Sequence, residues 1–188
     1  MAKQRKEAGR ASRLGGPELA SERLVKSFND QIGHEMHASF QYVAIAAHFA
    51  SENLPQLAGF FYRQAEEERA HAMKFVHFLV EIGARVRVPG VAAPRAEFAT
   101  AEEAVALSLE WEKSVTQQIY ALVDISKEDG NYIALRFLDW FVSEQLEELN
   151  TMGGLLAVIQ RAGEGGLLFV ESQLAGGRGA GTTGAPSA

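Results

Sequence analysis

Residues 61–82 read FYRQAEEERAHAMKFVHFLVEI, and the place of one glutamate in this stretch decides the fold. Stepping by four and three residues in turn, Phe61, Ala65, Glu68, Ala72, Phe75, Leu79 and Ile82 fall on one stripe of a helix. That stripe is an apolar seam broken once, at its middle, by Glu68. His71 follows three residues later and therefore shares the face. A single such glutamate is most simply a seam-edge residue that reaches water, so the reading has to be carried outward.

Three further seams repeat the pattern. The first runs Phe28, Ile32, Glu35, Ser39, Tyr42, Ala46, Phe49; the third Val105, Leu109, Glu112, Thr116, Ile119, Val123; the fourth Ala134, Leu138, Phe141, Gln145, Glu148, Met152, Leu155, Ile159. Each is interrupted near mid-helix by a glutamate. Four facing seams would set four carboxylates at one level inside a bundle. A buried, uncompensated carboxylate costs several kcal/mol, and like charges nearby add to that. The seams contain no lysine or arginine to neutralise them. The glutamates must take up protons or hold cations, and an oxygen-rich set with one nitrogen suits iron or manganese. Glu-x-x-His on one helix with glutamates from the others is the ligand set of di-iron carboxylate bundles.

Punctuation supplies the helix limits. The first helix is expected from about residue 18 to 51, the second from Pro55 to about Gly83. The third opens on a Thr100/Glu103 capping box and ends near Gly130, and the fourth runs from Asn131 to just before Gly163. The apolar patch Leu167–Val170 suggests a short fifth. Between helices two and three, Ala84–Ala99 holds Pro89, Gly90, Pro94 and several valines and reads as an extended connector. Extended chain of that length spans about 53–58 Å, and a 30-residue helix only about 45 Å. The connector can cross the whole bundle and make helices two and three parallel. The predicted class is all-α: a ferritin-like four-helix bundle with one long crossover and a short fifth helix.

Composition narrows the function. At 188 residues, 47% hydrophobic and 22% charged, the chain suits one globular domain. It has no cysteine, which excludes disulfides, zinc ribbons and thiol nucleophiles and fits a reducing, cytoplasmic setting. No apolar run is long enough for a membrane span, and Met1–Gly16 has no apolar stretch of the kind a secretory signal carries. Residues 1–16 hold five basic side chains against Glu7, a sum of +4, so the remaining chain carries −10. An acidic body argues against nucleic acid and for cations as partners. The domain is set at residues 17–175, between a basic tail (1–16) and a Gly-rich tail (176–188), both expected to be disordered. His34-Glu35-Met36-His37 is not a zinc-protease motif, which needs its histidines four apart. His48 and His77 read as packing or surface residues.

These motifs resemble the non-haem bacterial ferritins. Asn29-Asp30-Gln31-Ile32-Gly33-His34-Glu35 with Tyr42 is similar to that family's first-helix signature. Ala65-Glu66-Glu67-Glu68-Arg69-Ala70-His71-Ala72 is similar to its second-helix ligand run, and Glu144-Gln145-Leu146-Glu147-Glu148 to its fourth. Tyr42-Val43-Ala44-Ile45-Ala46 and Leu54-Pro55-Gln56-Leu57-Ala58 look most like actinobacterial members, and the likeness runs from about Glu22 to Leu174.

The resemblance implies a ferroxidase centre inside each subunit. Glu35 and His71 would bind a first iron, Glu68 would bridge, Glu112 and Glu148 would bind a second with Gln145 beside it, and Tyr42 would stand next to the site. Glu67, Glu144 and Glu147 would line a third, wetter iron site. Oxygen or hydrogen peroxide would be the oxidant, and storage of Fe(III) mineral would need a hollow 24-subunit homo-oligomer. Haem is not expected, because Arg69 stands where haem-binding relatives place a methionine and Gln145/Glu148 replace their second Glu-x-x-His. Mini-ferritins, with iron sites between subunits and no fifth helix, fit less well. Two other classes remain open: a di-metal oxidase or peroxidase without storage (rubrerythrin-like or manganese-catalase-like), and a structural bundle whose glutamates are protonated.

Overall fold

The computed structural model describes residues 19–176; both tails, apart from Gly176, lie outside the described residues. Five α-helices follow in order: α1 Glu22–Ser51, α2 Pro55–Glu81, α3 Ala101–Glu128, α4 Tyr132–Ala162 and α5 Leu167–Gly176, the last entered through a 3-10 turn at Glu164–Gly166. The four long helices form the bundle, with α1 against α2 and α3 against α4, and α5 lies across one end.

Local chemistry sets the helix starts. α1 begins at Glu22 rather than near residue 18, because the extended Ser21 accepts from the Leu24 amide at 3.1 Å and so acts as its cap. Asn131 does the same for α4 through Ala134 N, 3.0 Å. At α3, Thr100 accepts from Glu103 N at 3.1 Å, but the Glu103 carboxylate accepts from Ala99 N instead of Thr100 N. It also pairs with Arg95, which draws it toward the connector, so the expected capping box is half formed. α2 has no cap of its own: Leu54 stands at the N-cap position with no side-chain bond.

The crossover is an extended strap along α1. Asn29 donates to the Arg85 carbonyl (3.0 Å) and accepts from Arg87 N. Gln41 donates to the Arg95 carbonyl (2.7 Å) and accepts from its N–H (2.9 Å). The two amides are about 18 Å apart along α1, so the strap climbs in the direction of α1 and delivers α3 parallel to α2, as the connector length predicts. Between them Gly33 meets Pro89, whose ring occupies the space a Cβ would fill. A side chain at residue 33 would lift the strap.

Two apolar clusters fill the interior. One, toward the α5 end, contains Tyr42, Ile45, Phe49, Leu57, Phe61, Val105, Met152 and Ile159. The other contains Leu24, Phe28, Ile32, Phe75, Leu79, Ile119, Leu138 and Phe141. The seam glutamates interrupt the helices between these two clusters.

Candidate metal centre

Each central helix places its seam glutamate in the interior. Glu35, Glu68, His71, Glu112 and Glu148 are all between 0 and 5% exposed. Among the described residues, three groups bring potential ligand atoms within 4.8 Å of one another: Glu35/Glu68/His71, Glu68/Glu112/Glu148, and His71/Glu144/Glu148. Glu68 belongs to the first two, so it stands between Glu35 and His71 on one side and Glu112 and Glu148 on the other.

The neighbours divide these carboxylates into anchored and free oxygens. Glu112 is fully anchored. Tyr42 donates its hydroxyl to Oε1, and Gln145 Nε2 donates to Oε2 at 3.2 Å. The Gln145 amide also reaches the Thr116 hydroxyl at 3.2 Å, and Thr116 in turn donates to the Glu112 carbonyl at 2.8 Å. Glu35 is half anchored: Gln31, one turn earlier, donates to Oε1 at 2.9 Å. Glu35 Oε2, both Glu68 oxygens and Glu148 Oε2 are buried with no hydrogen-bond donor. Native interiors seldom leave polar atoms in this condition without a function.

The electrostatics follow. Burial pushes the Glu35 and Glu68 carboxyls well above the usual range, and neighbouring carboxylates push further: Glu68 acts on Glu35, and Glu112 on Glu68. Glu148 is raised to about 8 by burial and then by Glu112. Glu112 is also raised by burial, against the opposing bonds from Tyr42 and Gln145. Burial and the Glu112 charge lift the Tyr42 phenol well above its ordinary value, so it remains a donor. Without a cation the cluster holds protons; a divalent ion would replace them.

The outer residues are placed unevenly. Glu144 comes inward, its Oε1 3.8 Å from His71 Nε2. Glu67 and Glu147 are exposed and belong to none of the three groups. Glu67 accepts a bond from Gln64 and its charge still bears on Glu68, Glu144 and Glu148, while that of Glu147 bears on Glu144. Gln31 was not singled out by sequence, although its position four before Glu35 was the available signal. His34 and His77 are exposed; His37 lies edge-on to Trp111 and His48 against Phe98. Arg69 is exposed and paired with Glu66 at 3.1 Å.

A profile of the ferritin-like domain matches residues 25–162. The chain belongs to the ferritin family. This ferritin chain is 43% identical over 148 residues to "Ferritin BfrB" of Mycobacterium tuberculosis, covering 79% of this chain and 80% of that one. It is 34% identical over 146 residues to a "bacterial non-heme ferritin" of Staphylococcus aureus, covering 78% and 88%. These relatives agree with the actinobacterial, non-haem likeness read from the motifs. Its backbone superposes on a crystal structure of an "open pore ferritin" from Archaeoglobus fulgidus with a TM-score of 0.81 and 31% identity, over 84% of this chain and 98% of that chain.

Proposed function

We propose that this ferritin chain stores iron: it binds two Fe(II) among the seam ligands, oxidises them, and passes Fe(III) to a mineral held in a 24-subunit shell. The observation that carries the reading is Glu68, a fully buried carboxylate with two donorless oxygens, shared by two ligand groups. Glu35 and His71 serve the first ion and Glu112 and Glu148 the second. Gln145, Thr116 and Tyr42 hold Glu112 in place, so the second position is built in advance of the ion.

Each Fe(II) gives up one electron. The pair reduces oxygen to hydrogen peroxide with two protons, or hydrogen peroxide to two waters with two protons. Binding itself frees protons from the carboxyls, which places a proton source beside the reaction. Charge and position then favour an exit past Glu67, Glu144 and Glu147 on the wetter flank. The cytoplasm is the compartment proposed, and the described residues contain no helix long and apolar enough to cross a membrane. Haem has no part in this reading; Arg69 is engaged with Glu66 at the position in question.

A di-metal oxidase that does not store iron would share this centre. The names of the relatives and the match to ferritin chains over 80–98% of their length favour storage. The deciding experiment is size-exclusion chromatography with light scattering on protein titrated with Fe(II) in air. A shell that takes up many irons per subunit supports storage. A small oligomer that stops at two sinks it.

A further inference from the structure

His71 is the one nitrogen donor in the three ligand groups, and both of its nitrogens face carboxylates. Nδ1 lies 3.5 Å from Glu68 Oε1, and Nε2 lies 3.8 Å from Glu144 Oε1. The ring is held edge-on by Trp140 and Phe141 of α4, with centroids 5.4 and 6.0 Å away at interplanar angles of 69° and 75°. Glu144 follows those two aromatics by one turn of the same helix. One face of α4 therefore both fixes the imidazole plane and presents an acceptor to its outer nitrogen.

A neutral imidazole that gives one nitrogen's lone pair to a cation keeps its proton on the other. With Nδ1 turned to Glu68, that proton sits on Nε2. Metal-binding imidazoles are generally held by donating this second N–H to a carboxylate or carbonyl, which fixes tautomer and ring direction. Glu148 is grouped with His71 and Glu144, but it is also grouped with Glu68 and Glu112. Glu144 has no such second demand within the core. The 3.8 Å separation exceeds hydrogen-bond range by about 0.6 Å, and the Glu144 side chain, 26% exposed, has the freedom to close it.

We propose that Glu144 is the positioning residue for His71: it accepts the Nε2 proton and so holds Nδ1 toward the metal. This rests on the reading of His71 as a metal ligand, and it gives Glu144 a task beyond lining the wetter flank.

The test uses Co(II) alone as a redox-silent probe of the full-length apo protein, followed by visible absorption and calorimetry. Glu144→Ala should weaken the tightest Co(II) binding by about 10- to 100-fold. Glu144→Gln, whose amide oxygen accepts the same N–H without supplying a charge, should stay within about three-fold of wild type and retain its absorption spectrum. Wild-type affinity in Glu144→Ala would overturn the proposal. So would equal losses in both variants, because Glu144 would then act through its charge or as a direct ligand. A wild-type protein whose tight Co(II) binding survives His71→Ala would overturn the proposal together with the metal-centre reading. A wild type that needs His71 but not Glu144 would overturn the proposal alone.

Discussion

Two sets of buried glutamates in this bundle are handled in opposite ways. Glu171, on α5, is 8% exposed. Its two oxygens accept from Gln56 N and Leu57 N, both at 2.8 Å. They satisfy first-turn amides of α2 that Leu54 cannot cap, and the carboxylate sits at the positive end of the helix dipole. Glu68, equally interior, has no donor on either oxygen, and more carboxylates are packed beside it. A buried carboxylate with backbone donors is a structural part. One surrounded by others and left without donors is the residue proposed here to hold a cation. Burial alone does not separate the two; the backbone amides around Glu171 and the carboxylates around Glu68 do.

The sharpest way to break this contrast is Glu68→Ala. Rapid Fe(II) oxidation, followed by stopped-flow absorbance, should be abolished, because Glu68 alone is grouped both with Glu35 and with Glu112. The apo variant should remain folded and at least as stable as wild type in thermal melts, since the deletion relieves like-charge repulsion. Oxidation at the wild-type rate would remove Glu68 from the centre. The opposite result is expected for Glu171→Ala. It should cost about 1–3 kcal/mol in denaturant unfolding, because two helix amides lose their acceptor, and leave Co(II) affinity at the centre unmoved. A stability loss in the first variant and none in the second would reverse the comparison.

The pH dependence of the apo protein sharpens it further. The unfolded carboxyl titrates near its ordinary value of 4.5, and folded Glu148 near 8. Between these values the native state holds a proton that the unfolded state has released, so stability falls as pH rises through the window. Below the unfolded value the contribution is fully present. Glu148→Gln should flatten the slope of unfolding free energy against pH by up to about 1.4 kcal/mol per pH unit. An unchanged slope would mean that Glu148 is ionised throughout. The smallest effect belongs to Glu164, which is exposed and accepts one amide, Ala101 N at 2.9 Å, at the start of α3. α3 also has Thr100, so Glu164→Ala should cost about 0.5 kcal/mol or less in the same unfolding assay.

Much of the candidate centre was legible because helix periodicity is local. The seams containing Glu35, Glu68, Glu112 and Glu148 could be counted off the chain, and all four residues are interior. Their common level followed from each lying near the middle of helices of similar length. The parallel course of α2 and α3 followed from a connector long enough to climb α1. Periodicity says nothing, however, about which polar atoms meet across helices. Gln41 could not be matched to Arg95, nor Asn29 to Arg87, because those bonds join positions more than fifty residues apart. Gln31 was hidden for another reason: a glutamine on a helix is ordinary until the residue it serves is known to be buried.

Glu144 and Glu171 mark the boundary most clearly. By itself the sequence determined that four helices carry acidic interruptions in apolar stripes, that one interruption has a histidine a turn away, and that an apolar patch after Gly163 suits a short fifth helix. These depend on spacing along one strand of chain. Tertiary structure alone decided that Glu144 leans toward His71 while Glu147 faces out, and that Glu171 closes the open end of α2, 115 residues earlier in the chain. Side-chain donors and acceptors act only over about 3 Å, and which groups come that close is settled when the helices pack.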